Sequence, residues 1–93
     1  MTDITAESRP RLAPGVRLHF DRARDAWVLL APERVLETEG PVQAVLSRCD
    51  GVRRFADIVA ELARDFAADP AVIETDVREM LADLMGKRLV VIA

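Results

Sequence analysis

The sequence predicts an α+β domain, with a three-stranded antiparallel sheet followed by a cluster of three helices. Three observations carry this. Two-residue alternation and β-prone runs are confined to residues 16–38, apolar stripes at helical spacing fill residues 42–85, and turn or cap residues separate the segments.

Met1 to Pro14 is polar, with Pro10 and Pro14 near its end, and reads as a flexible arm over residues 1–14 leading into a single domain over 15–93. In "VRLHFD", Val16, Leu18 and Phe20 alternate with Arg17, His19 and Asp21, the period of a half-buried strand. "DRARDA" supplies a polar turn. Trp27 to Leu30 is a continuous β-prone run, expected to be buried on nearly both faces and stopped by Pro32, with Trp27 as a core anchor. Arg34 to Thr38 forms a short third strand on the strength of Val35, Leu36 and Thr38.

Gly40-Pro41 begins the first helix, since proline is suited to a first-turn position whose N–H has no partner. Val42, Val45, Leu46 and Cys49 follow at helical spacing, and Asp50-Gly51 stops the helix. Phe55, Ile58, Val59, Leu62 and Phe66 form one apolar stripe, predicting a packed core helix. Asp69-Pro70 caps and starts the third helix, in which Ile73, Val77, Met80, Leu81, Leu84 and Met85 make an apolar face wider than one neighbour requires. Gly86 closes it, and "LVVIA" ends the chain as an apolar tail that something must cover.

Composition excludes several function classes. The chain has 93 residues, 51% of them hydrophobic, which suits one small domain and leaves little room for a deep catalytic cleft. The net charge of −3 argues against phosphate binding and against anionic membranes. One cysteine permits no internal disulfide, and no run approaches the roughly 20 apolar residues that span a bilayer, so a cytoplasmic protein is expected.

The catalytic inventory is thin. His19 lies on the polar side of a strand with no second ligand at metal-binding spacing, and Cys49 sits on an apolar helix face, where a buried structural thiol is the expected role. The glycines are isolated at turns and cradle no phosphate. No catalytic, cofactor or metal site is predicted, and the chain is read as a non-enzyme. Helices joined by a turn at "VLSRCDGVRRFADIVAEL" invite a winged-helix DNA-binding alternative, with Arg48, Arg53 and Arg54 near phosphate. Glu74, Asp76, Glu79 and Asp83 on the would-be recognition helix oppose it, because carboxylates there repel the duplex.

"RPRLAPGVRLHFD", "WVLLAPERVL" and "VLSRCDGVRRFADIVAELARDF" resemble, in that order and spacing, the PqqD family, the peptide chaperones of pyrroloquinoline quinone (PQQ) biosynthesis. The resemblance runs from about Arg9 to Val90. It implies a winged-helix-like fold, no activity of its own, and membership of the RiPP recognition elements, which bind a ribosomal precursor peptide. It implies two partners: a PqqA-type precursor and a PqqE-type radical SAM enzyme, which cross-links a Glu and a Tyr of that peptide. The chain departs from the family pattern at Arg54, where Thr is common before the second helix, and at "ETEGP" before the first.

In that wider group the peptide adds as a strand against the third strand and rests on the third helix. The resemblance therefore implies a peptide site at Arg34, Val35, Leu36, Glu37 and Thr38, with Ile73, Val77, Met80, Leu81 and Leu84 containing both core and groove positions. Met80 is the best groove candidate, because methionine adapts to a partner's shape. Arg34 and Glu37 would serve the charged rim. A monomer is expected over a homodimer, although an open strand edge leaves strand exchange open.

Overall fold

A computed structural model describes residues 4–93. Five strands and three helices follow in the order β1 (Pro10–Leu12), β2 (Arg17–Asp21), β3 (Ala26–Ala31), β4 (Arg34–Glu37), α1 (Gly40–Leu46), α2 (Phe55–Asp65), α3 (Pro70–Gly86) and β5 (Val90–Ile92). The expected three-stranded antiparallel sheet is present in the order β2-β3-β4, packed on the three helices.

Of the loose arm that the sequence predicts over residues 1–14, residues 1–3 lie outside the described residues, and residues 4–14 are packed against the domain. Within them β1 pairs antiparallel with β5, Leu12 lying opposite Val90 and Pro10 opposite Ile92. Ile4 and Ser8 are buried. The segment also closes an open helix end: the backbone N–H groups of Phe55 and Ala56, which have no partner inside α2, donate to the carbonyls of Ser8 (2.6 Å) and Ala6 (3.0 Å). This makes good the missing hydroxyl cap at Arg54, together with Asp57, whose carboxylate accepts from the Arg54 backbone N–H at 3.0 Å and from its guanidinium. A three-residue strand shows no periodicity, and its partner stands about eighty residues away, so composition alone reads it as linker.

The pairing with β1 covers the C-terminal tail, leaving Leu89 and Val90 almost wholly buried. Gly51 allows this closure. Its φ of +77° suits glycine, and a Cβ there would lie 3.4 Å from the Cβ of Arg11.

The core is built from Leu29 of β3, Val45 and Leu46 of α1, Phe55, Ile58, Val59 and Leu62 of α2, and Val77, Leu81 and Leu84 of α3. Two aromatic side chains leave their expected places. Phe66 caps the end of α2 and is exposed, its inward role taken by Ala63. Trp27 is 39% exposed, and only Val28 and Leu29 of its run are buried. The β2-β3 hairpin runs on past the point where its face is covered, so the Phe20–Trp27 rung is exposed.

Candidate functional site

Among the described residues no strand pairs with the outer edge of β4, and the candidate site is centred on that edge. Cross-strand partners in β3 and β4 are Ala31 with Arg34, Leu30 with Val35, Leu29 with Leu36, and Val28 with Glu37. The Thr38 backbone N–H continues this register by donating to the Trp27 carbonyl at 3.2 Å. Hydrogen-bonded and non-hydrogen-bonded pairs alternate along an antiparallel ladder. Thr38, Leu36 and Arg34 therefore bond inward to β3, whereas Val35 and Glu37 turn their N–H and C=O groups away from it. Those two residues are the open rungs.

Side chains alternate the other way. Leu36 shares a face with Leu29 and Leu18 toward the core, while Val35 is 60% exposed on the opposite face. Below Leu36 lies a hollow of about 170 Å³ lined by Leu36, Thr38, Val42, Met80, Asp83 and Lys87 among others. A second hollow of about 250 Å³, lined by Pro41, Phe66, Ile73 and Met80 among others, adjoins it through Met80. A larger one, about 720 Å³, lies elsewhere between α2 and α3; alanines make up half of its lining, and no strand residue borders it.

α3 presents its residues to this groove unequally. Asp69 caps its N-terminus by accepting from the Ala71 N–H at 2.9 Å, and Pro70 follows. Along the helix, Val77, Leu81 and Leu84 are buried, while Ile73 and Met80 are half-buried. Val77 and Leu84 still line hollow walls. Leu81 is wholly enclosed, which makes it core and removes it from the groove candidates. Met80 is the α3 residue that borders both hollows.

The rim charges are already engaged. Glu37 accepts from Arg24 at 3.0 Å, Arg34 donates to the Lys87 carbonyl at 3.2 Å, and Lys87 pairs with Asp83 at 3.0 Å. These are surface pairs, each worth little to stability. The hollows are also lined by Val42, Asp83, Lys87 and Phe66, which the sequence does not place there. The i, i+4 spacing of Asp83 and Lys87 was a visible signal; the position of Phe66 was not, because its spacing is that of the core stripe.

Cys49 and His19 line neither hollow. Cys49 is buried, its thiol donates to the Val45 carbonyl, and loss of solvation, with the nearby Asp50 charge, pushes its pKa up to about 12. His19 is exposed. Among the described residues no cluster of His, Cys, Asp or Glu could hold a metal ion, and no helix is long and apolar enough to cross a membrane.

The family model for coenzyme PQQ synthesis protein D (PqqD) matches residues 26–90, from the start of β3 to the first residue of β5, a span that includes β4 and the hollows. This chain belongs to the PqqD family. It is 54% identical over 89 residues to the PqqA binding protein of Xanthomonas oryzae pv. oryzae (strain PXO99A), covering 96% of this chain and 97% of that one. Among solved structures, it matches the solution NMR structure of the PqqD truncation of Methylobacterium extorquens PqqCD with a TM-score of 0.80 at 42% identity, over 97% of this chain and 96% of the other. That truncation is a functional, stand-alone RiPP recognition element. The crystal structure of PqqD from Xanthomonas campestris matches with a TM-score of 0.58 at 50% identity, over 94% and 97% of the two chains. PqqD membership and the α+β architecture thus agree with the resemblance seen in the sequence.

Proposed function

We propose that this protein is a peptide chaperone of PQQ biosynthesis: it binds a PqqA-type precursor by strand addition to β4 and presents it to a PqqE-type radical SAM enzyme for Glu–Tyr cross-linking. The observation that carries the reading is the pairing of two open rungs, Val35 and Glu37, with an apolar hollow beneath Leu36 and Met80. Backbone bonds to the rungs supply affinity whatever the peptide's sequence. Every second peptide side chain then points into the hollow, which supplies selectivity. Relatives named as PqqA binding proteins give the peptide its identity.

On this reading the protein does no chemistry itself and acts in the cytoplasm as a monomer. It raises the local concentration of peptide near the enzyme by holding both at different surfaces. The DNA-binding alternative is disfavoured because Glu74, Asp76, Glu79 and Asp83 are all exposed on α3.

Calorimetric titration with a synthetic PqqA precursor, against a scrambled control, tests the reading. Saturable binding to the native peptide alone is expected, followed by a ternary complex when the enzyme is added. Absence of binding by the folded protein overturns the peptide role, and exclusion of the enzyme by peptide overturns the scaffold version.

A further inference from the structure

We propose that the exposed Phe20 and Trp27 rings form a platform that receives an aromatic side chain of the precursor peptide where it runs past the end of β4. The inference rests on reading β4 as the peptide's strand and assigns a specificity element beyond the ladder and the Met80 hollow.

Both rings lie on the core-facing side of the sheet, in line with Leu18 and Leu29, yet Phe20 is 37% and Trp27 39% exposed. Because Trp27 bonds toward β4 through its carbonyl, the Phe20–Trp27 pair is a non-hydrogen-bonded rung facing β2, the kind in which opposed side chains stand closest. Their centroids are 5.4 Å apart at an interplanar angle of 69°, an edge-to-face arrangement. A cross-strand aromatic pair stabilises a hairpin in its own right, so the pair alone names no ligand. Its position does.

β4 ends at Glu37 and the chain turns into α1 at Gly40. In an added strand, the peptide residue opposite Leu36 faces the hollow, and the next inward-facing residue is two along, about 7 Å farther. That residue lies opposite Thr38, which both lines the hollow and donates its N–H and hydroxyl to the Trp27 carbonyl. Thr38 is small, so a large side chain at that point reaches across it to the indole.

The platform is also held in place. Asp21 accepts from the N–H groups of Ala23 and Arg24 at 3.0 and 3.4 Å to close the hairpin tip, and Arg24 ties that tip to Glu37. A ring surface fixed in advance loses little freedom on binding. A third ring extends an edge-to-face cluster, which favours an aromatic side chain over an aliphatic one.

Trp27 is the only tryptophan of the chain, so 5-fluorotryptophan labels this one site. The test is fluorine NMR of the labelled full chain titrated with a synthetic PqqA precursor, in parallel with calorimetry. The expected result is a shift of the single resonance and a smaller H₂O/D₂O isotope effect, both saturating with the calorimetric curve and lost when one aromatic residue of the peptide is replaced by alanine. Trp27→Leu, checked for folding by circular dichroism, should weaken binding roughly 3- to 10-fold. Calorimetric binding with an unchanged resonance overturns the platform and leaves the β4 reading intact. No binding at all overturns both. A resonance that moves with protein concentration before peptide is added overturns the proposal in favour of contact with a second copy.

Discussion

Thr38 donates twice to one acceptor: its backbone N–H and its hydroxyl both bond the Trp27 carbonyl, at 3.2 and 2.9 Å. This contact holds the last rung between β3 and the chain leaving β4, and with it the phase of the whole edge. Shifting the phase by one residue would exchange the open rungs for Arg34, Leu36 and Thr38 and turn Val35 toward the core.

Thr38→Val keeps the shape of the side chain and removes one of the two bonds. Stability should fall by about 0.5–1.5 kcal/mol, measured by urea unfolding. Precursor affinity should fall with it as the rung loosens. Unchanged stability would mean that the hydroxyl bond is replaced by solvent at no cost.

Proline scanning separates the two edges of β4. Val35→Pro removes an outward donor and should leave the protein folded with much weaker peptide binding, because proline is tolerated where the N–H faces solvent. Leu36→Pro removes an inward bond to β3, leaves its acceptor unpaired, and should cost about 1–3 kcal/mol with disruption of the sheet. Equal effects from both, read by circular dichroism and calorimetry, would overturn the assigned phase.

Met80 and Leu81 are adjacent in sequence and opposite in role. Leu81→Ala opens a cavity in the core and should cost about 2–5 kcal/mol. Met80→Ala, at a half-buried position bordering both hollows, should cost less stability and more precursor affinity. The paired measurement is thermal unfolding beside calorimetric titration.

Cys49 gives an alkaline signature. Burial raises its folded pKa to about 12, above the unfolded thiol's roughly 8.5. A raised pKa means that the folded state keeps a proton the unfolded state loses, so the stabilisation is full below the unfolded value and is lost as pH rises toward the folded one. Cys49→Ala should flatten the fall of melting temperature above roughly pH 9. In the native protein, alkylation at pH 8 should proceed only through opening of the fold.

The sequence by itself determined the three-stranded sheet and the three helices with their start signals at Pro41 and Asp69-Pro70, because each rests on local periodicity or local backbone chemistry, but not the end of α1, which stops at Leu46 short of Cys49 and the expected Asp50-Gly51. Through the motifs "WVLLAPERVL" and "CDG" it also determined the family. What it left open depends on partners far along the chain. Only the folded chain pairs Pro10–Leu12 with Val90–Ile92, encloses Leu81 while leaving Met80 at the groove, and carries Trp27 past the covered part of its sheet. Apolar spacing reports that a side chain seeks cover. Whether it finds any depends on where neighbouring strands and helices end, and that is decided by packing among segments that no local pattern connects.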